Sequence, residues 1–307
     1  MKTIRTLANK AKTGFELLTK APGRLLEVLD LVGPARLIPD SMYLRIVFKA
    51  HTGYALNLKS PQTYNEKLQW IKLHERNDVY SAYADKAAVR EIVRKKIGTD
   101  ILVPLIGIYD KVSDIDWDVL PNSFVLKCSH GSGFNILCPD KNELNIDDAC
   151  NKLKKWMTIN QYWGGREWCY RNIKPRIVCE AWIGENGKTP NDYKFMCFGG
   201  HPRIIQLHED RYGNHTLDYY SPEWQRLEIR RSDANIRGMT AQRPTQLDTM
   251  LEIAKCLSAD FPYARVDLYE VKGHVFFGEV TFYPMGGFSG FANHQDDLRI
   301  GSWIPVP

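Results

Sequence analysis

The chain has 307 residues, a net charge of +5, and hydrophobic, aromatic and charged fractions of 44%, 11% and 25%, those of an ordinary globular protein. That length can bury a sizeable core in one large or two to three smaller domains. So mild a positive charge gives no case for a nucleic-acid partner, though it suits an acidic or phosphorylated ligand.

Met1–Asp40 lacks the continuous apolar stretch and small-residue cleavage site of a signal peptide, and no apolar run is long enough to span a bilayer. The cytoplasm is the expected location. The segment is basic and amphipathic, with Leu17, Leu18, Leu25, Leu26, Leu29 and Val32 set among Lys10, Lys12, Lys20 and Arg24. A helix packed on the protein's own core is the favoured reading, and peripheral contact with the anionic inner face of the membrane is the alternative. Seven scattered cysteines, without Cys-x-x-Cys or Cys/His zinc spacing, read as buried thiols in a reducing compartment. The basic runs Arg90–Lys96, Lys152–Lys155 and Arg226–Arg231 read as solvated faces.

Met42–His74 is expected to be largely helical and broken at Pro61, with Ser60 or Thr63 capping a helix through Leu68, Trp70, Ile71 and Leu73. A second helix, Lys86–Ile97, stops at Gly98. Short strands and turns follow around Val103–Tyr109. Ser123–Cys138 reads as a hairpin: strand Phe124–Cys128, loop Ser129–Gly133, strand Phe134–Cys138. A helix over Ile146–Met157, strands Ile177–Ile183 and Tyr193–Phe198, and a helix over Thr245–Leu257 lead to a final hairpin. Interspersed helices and hairpins imply an α+β fold with antiparallel or mixed sheets. The expected divisions are 1–78, largely helical; 79–122, a linking segment; 123–180, with the Gly/Ser loop; and 181–307, with the last hairpin.

That hairpin carries the densest chemistry. Arg265 and Asp267 stand at i and i+2 on one strand, Glu279 and Thr281 on the next, so each pair shares a face. Two carboxylates on one sheet face repel unless a cation lies between them, which makes a candidate Mg²⁺ site. Parity decides whether they meet. A two-residue turn at Lys272-Gly273 would place Asp267 opposite Gly278 and turn Glu279 away. A three-residue loop, Lys272-Gly273-His274, or a bulge would set Asp267 opposite Glu279.

Upstream, Lys127 immediately precedes the loop of Ser129, Gly131, Ser132 and Gly133, whose small residues let backbone N–H groups close on an anion. The order is not that of a Walker A loop. Glu180 lies in an apolar strand where a charge needs a partner, and Lys194 shares a face with Met196 and Phe198.

Taken in order, Asp85-Lys86, Lys127 with its glycine loop, Glu180, Lys194, Arg265-x-Asp267 and Glu279-x-Thr281-x-x-Pro284-x-Gly286 resemble the ATP-grasp superfamily. The TupA-like branch, associated with bacterial cell-surface polysaccharide synthesis, is the nearer likeness, over roughly Thr63–Trp303. The resemblance implies two sheet subdomains that clamp ATP. It makes Lys127 and Lys194 phosphate-binding lysines, Ser129–Gly133 the flap, and Glu180 with the backbone of Trp182 and Ile183 the adenine hinge. Asp192 becomes a ribose contact, Lys86 a further ATP-site lysine, Asp267 and Glu279 the Mg²⁺ carboxylates, and Arg265 a catalytic residue beside the transferred phosphoryl group, with Lys194. Thr281 stands where the superfamily usually has Asn.

The implied activity is an ATP- and Mg²⁺-dependent carboxylate–amine ligase acting on a surface-polysaccharide precursor. Its substrates would be a saccharide or small-molecule acceptor carrying a carboxylate, and an amine donor. A phosphotransferase, a glycosyltransferase with Asp296-Asp297 as its nearest metal pair, and a non-enzymatic binding protein are the alternatives. His130 in the flap reads as a hydrogen-bonded loop histidine rather than a proton carrier. The aromatic stretches Trp156–Tyr170 and Phe282–Trp303 read chiefly as core, and Pro284–Gly290 as a loop able to hold an anionic end of a substrate.

Overall fold

The structure, a computed structural model, describes residues 33–231, 239–288 and 291–306, together with 26, 29, 30 and 236. Most of the basic amphipathic N-terminal segment lies outside these, as do Ser289 and Gly290. Leu26 packs with Tyr43, Val47 and Phe48.

Helix α1 (Asp40–Thr52) stops at Gly53, whose φ of 82° closes the last turn. Helix α2 (Tyr64–His74) starts where expected, at Thr63 rather than Ser60. The Thr63 side chain accepts from the Glu66 backbone N–H, and Glu66 accepts from that of Thr63 in return. Asp297, on the C-terminal helix, reinforces this end by accepting from the backbone and side-chain amides of Asn65. A short helix α3 (Asp78–Ala84) intervenes before α4 (Val89–Lys96), so the helix expected from Lys86 begins three residues later.

Two antiparallel sheets follow. The smaller has the order β1-β4-β2-β3, from β1 (Leu105–Tyr109), β2 (Phe124–Cys128), β3 (Asn135–Cys138) and β4 (Ile177–Ala181). Phe124, Leu126, Cys128, Ile177 and Cys179 form its core with Ala149 and Leu153 of α5 (Ile146–Met157), a helix capped by Asn145. After α5 comes the one-turn helix α6 (Tyr162–Gly165). Strand β4 ends at Ala181, two residues short of expectation, so Trp182 and Ile183 leave the ladder.

The larger sheet has the order β10-β9-β5-β6-β7-β8. Its strands are β5 (Asp192–Phe198), β6 (His201–Glu209), β7 (Thr216–Tyr220), β8 (Arg226–Leu227), β9 (Tyr263–Val271) and β10 (His274–Thr281). Strands β6 to β8 were not foreseen from the sequence pattern. Helix α7 (Leu247–Ser258) covers the face to which Phe195 and Cys197 point, with Met250, Ala254 and Leu257 turned inward. The last helix is α8 (His294–Gly301). All seven cysteines are free thiols, and five are buried. Among the described residues no helix is long and apolar enough to cross a membrane.

The C-terminal hairpin corrects the expected loop. Val271 pairs with His274 across a two-residue turn of Lys272 and Gly273, both at positive φ. Continued evenly, that register would put Asp267 opposite Gly278. Instead a bulge between Phe277 and Glu279 leaves Gly278 unpaired and sets Asp267 opposite Glu279. Glycine is required there: a Cβ would stand 2.9 Å from the Asp267 carbonyl oxygen.

Candidate active site

The bulge completes a row of side chains across five strands. Tyr219, Gln206, Lys194, Asp267 and Glu279 are successive cross-strand partners on β7, β6, β5, β9 and β10, so they share the face opposite α7. One step along, Met196, Arg265 and Thr281 form a parallel row. Asp267 is almost fully buried and doubly paired: Lys194 Nζ bonds its Oδ2, and Arg265 donates from Nε to Oδ1 at 2.7 Å and from Nη2 to Oδ2 at 2.8 Å. Arg265 Nη2 also donates to Thr281 Oγ1 at 3.1 Å, and the Thr281 hydroxyl donates to Glu279 Oε1 at 3.4 Å. Burial pushes Glu279 toward the protonated form, but Lys86, Lys194 and Arg265 outweigh it and hold the carboxyl well below its usual range.

The smaller sheet presents a second cluster. Glu180 accepts from Lys127 Nζ at 2.7 Å and from Arg90 Nη1 at 2.5 Å, which supplies the partners its apolar strand demands. Arg90 is therefore no part of a solvated face; its other nitrogen donates to Val103 O at 2.8 Å. Burial opposes the charge on Lys127, yet the pairing with Glu180 keeps its pKa above the ordinary lysine value.

A cleft between the sheets joins the clusters. Val125, Leu137, Trp182, Ile183 and Tyr269 give it apolar walls, with Lys127, Glu180 and Asp192 at its polar end. Asp192 accepts from Arg211 Nη1 at 3.1 Å and lies 3.7 Å from Lys194 Nζ.

The Gly/Ser loop stands at the end of β2. Ser129 is buried and anchored to the backbone of Arg176, while Ser132 and Gly133 are exposed at the tip. His130 is buried, and its Nε2 donates to Trp156 O at 3.1 Å. Burial lowers its pKa, so it stays neutral as a loop support. Lys86 ties the loop to the metal-type hairpin, donating to Gly131 O at 2.8 Å and reaching Glu279 Oε2 at 3.2 Å.

The expected residues thus come together, Ser132 included, since it lines the cavity over the Lys194–Glu279 row; Gly133 at the loop tip stands apart. Asp297 does not belong: it is buried against Asn65 and Tyr54, far in role from a nucleotide-sugar metal pair. Sequence reasoning missed Arg90 and Arg211. Arg90 had a signal, since it adjoins Val89 and Val93 on the buried side of α4. Arg211 sits in the β6–β7 turn and had none.

Asp267, Glu279 and Thr281 offer hard oxygen donors on one face, which suits Mg²⁺. That ion takes one or two carboxylates plus substrate phosphates rather than a dedicated protein cage. Among the described residues there is no group of three or more His, Cys, Asp or Glu able to hold a metal alone.

Two antiparallel sheets closing on a cleft, with a glycine loop from one and a Lys-Asp-Glu row on the other, define an ATP-grasp fold. The family model for TupA-like ATP-grasp proteins matches residues 66–305, and the chain belongs to that family. Solved structures with a similar fold include D-alanine–D-alanine ligase from Bacillus anthracis complexed with ATP, at 17% identity and TM-score 0.40, covering 66% of this chain and 55% of that one. The D-alanine–D-alanine ligase from Helicobacter pylori matches at 13% identity and TM-score 0.42, over 80% of this chain and 68% of that one. Phosphoribosylamine–glycine ligase from Thermotoga maritima matches at 12% and 0.39, over 66% and 48%. The chain spans about half to two thirds of these proteins' lengths. No curated protein sequence matches it.

Proposed function

We propose that the protein is an ATP- and Mg²⁺-dependent carboxylate–amine ligase that modifies a cell-surface polysaccharide or its precursor. The observation that carries this reading is the cross-strand row Lys194–Asp267–Glu279, whose cavity meets the Lys127–Glu180 cleft at Arg211, with Asp192 of that cleft 3.7 Å from Lys194. Six cations (Lys86, Arg90, Lys127, Lys194, Arg211, Arg265) are set against four carboxylates (Glu180, Asp192, Asp267, Glu279), leaving the site positive before a nucleotide enters. Each lysine is already paired with an acid. A magnesium–nucleotide brings both a cation for Asp267 and Glu279 and phosphates for Lys127 and Lys194, so the partners exchange without stranding a buried charge.

Adenine would enter between Val125, Leu137 and Tyr269 and use the peptide groups of Trp182 and Ile183, which lie beyond the end of β4. The ribose would reach Asp192, and the Ser129–Gly133 loop would close over the phosphates. Bound Mg²⁺ supplies charge neutralisation on the phosphate oxygens. Lys194 and Arg265 stabilise negative charge on the phosphoryl group in transfer. The acceptor's carboxylate attacks the γ-phosphorus and ADP leaves; the free amine then attacks the acyl carbon, and phosphate departs with the bonding electrons and the nitrogen's proton. No protein nucleophile is required.

A thermal-shift comparison of Mg-ATP with Mg-UDP-sugar should raise the melting temperature with ATP alone. Stabilisation by the nucleotide sugar alone would defeat the proposal. ADP release from a uronic acid should depend on an added amine; release without that dependence would instead mark a phosphotransferase. Attachment of the N-terminal segment to a membrane is a separate proposal, checked by co-sedimentation with anionic vesicles.

A further inference from the structure

The cavity over the Lys194–Glu279 row runs on, past Arg265 and Thr281, to Gly165, Glu167 and the turn at Met285–Gly286. Among the described residues its charged lining is mostly cationic: Lys194, Arg211, Arg231 and Arg265, against the carboxylates Glu279 and Glu167. Glu279 is engaged by Lys86 and Arg265. The Glu167 carboxylate has no hydrogen-bond partner among the described residues, and its Oε1 lies 3.8 Å from where a Cβ on Gly286 would stand.

The fold invests in that placement. Arg166 takes a left-handed conformation, φ 54°, costly for a residue with a Cβ. Its guanidinium is buried among Tyr43, Tyr162 and Trp163 and bonds Asp30 Oδ1 at 2.7 Å. The turn therefore sends Arg166 into the core and its neighbour Glu167 into the cavity. Lys72 braces both flanks, donating to Gly165 O at 2.8 Å and Gly286 O at 2.6 Å.

We propose that Glu167 is the residue that receives the amine donor, holding its ammonium group in this part of the cavity and taking one proton from it so that the nitrogen can attack. This rests on the ligase reading. In the step, Glu167 first takes one proton from the bound ammonium; the freed lone pair forms the bond to the acyl carbon, the carbon–oxygen bond to phosphate breaks, and phosphate leaves with the electron pair of that broken bond and takes up the second nitrogen proton. Burial pushes Glu167 up to about 7 while Lys72 of α2 opposes the shift; Tyr283 after β10, and Cys169 and Tyr170 in the turn that follows it, are the other titratable groups facing it. A base of that strength suits proton transfer near neutral pH.

The test uses the full chain with Mg-ATP and glucuronic acid. Hydroxylamine, largely unprotonated at neutral pH, is one nucleophile, and a panel of amino acids and amino sugars, protonated at that pH, is the other. Glu167→Gln should keep hydroxamate formation within about threefold and lose amide formation about 100-fold. The acidic limb near pH 7 in the amide rate should disappear, and Glu167→Asp should recover part of it. Glu167→Gln loses no hydrogen bond but does lose the charge that faces buried Lys72, so it should melt only slightly below the parent. Equal loss of both products, or retention of both, would overturn the proposal. Wild-type protein that forms neither hydroxamate nor amide would sink the ligase reading itself, and this assignment with it.

Discussion

In the small sheet, Lys127 reaches Glu180 along a diagonal between two evenly paired strands: Lys127 is opposite Val178, and Val125 opposite Glu180. In the large sheet, Lys194 and Asp267 are direct cross-strand neighbours, and Glu279 joins them only because Gly278 bulges out. The first arrangement follows from simple alternation. The second depends on one extra residue. The two also differ in depth: the Lys194–Asp267 side chains are 4% and 2% exposed, the Lys127–Glu180 side chains 17% and 10%. The Lys194–Asp267 cluster is thus the more dehydrated, where charge pairing is stronger and a missing partner more costly.

That contrast is broken most directly by removing the two acids. Asp267→Ala takes the closest counterion from both Lys194 and Arg265, leaving them Asp192 and Glu279 at 3.7 Å each, and should cost about 3–5 kcal/mol as well as activity. Glu180→Ala leaves Lys127 and Arg90 with some access to water and should cost about 1–3 kcal/mol. Urea unfolding of both variants measures the gap; equal losses would show that depth does not separate the clusters.

Glu279→Gln is the cleaner probe of chemistry, because this side chain is one-third exposed and keeps its shape. Turnover should fall about 100- to 1,000-fold with little change in melting temperature at neutral pH. Glu279 is a stronger acid in the folded chain than in the unfolded one. Its stabilisation is therefore complete above the ordinary carboxylate range and is lost as pH falls through and below it. Melting curves of parent and variant should keep a constant small gap from pH 6 to 8 and converge in acid.

Gly278→Ala tests the bulge itself. The new methyl would meet the Asp267 carbonyl oxygen, which is backbone and must move. A loss of about 1–3 kcal/mol is expected, with a fall in Mg²⁺-dependent turnover beyond what that loss explains. Unchanged kinetics would show that the Asp267–Glu279 pairing tolerates a shifted ladder.

Much of this was legible in the sequence because the signals are local. Thr63 and Glu66 announce a capping box, Lys127 precedes a loop of small residues, and a lone Glu in an apolar strand asks for a cation. The bulge was only one of two solutions that parity allowed. A turn of two residues rather than three cannot be told from composition, since Lys-Gly serves both. Strands β6 to β8 escaped because His201–Leu227 mixes polar and apolar residues on both faces of a sheet covered on one side by α7 and on the other by the site. Glu167 escaped because its role depends on the left-handed turn at Arg166, set by the distant partners Tyr43 and Asp30.

The smallest effect expected lies in the flap and separates two glycines two residues apart. Gly133 has φ 77° with open space around it, so Gly133→Ala meets only backbone strain, about 1 kcal/mol, in an exposed tip that can relax. Gly131 has an ordinary φ, but a Cβ there would stand 2.6 Å from the Phe134 ring, while its carbonyl holds Lys86. Gly131→Ala must push Phe134 from its stacking on Trp156 or draw the carbonyl off Lys86, loosening the tie to Glu279. The KM for ATP should change less than threefold in Gly133→Ala and about tenfold in Gly131→Ala. A reversed order would mean that closure of the tip, rather than the Lys86 tie, governs how the loop meets the nucleotide.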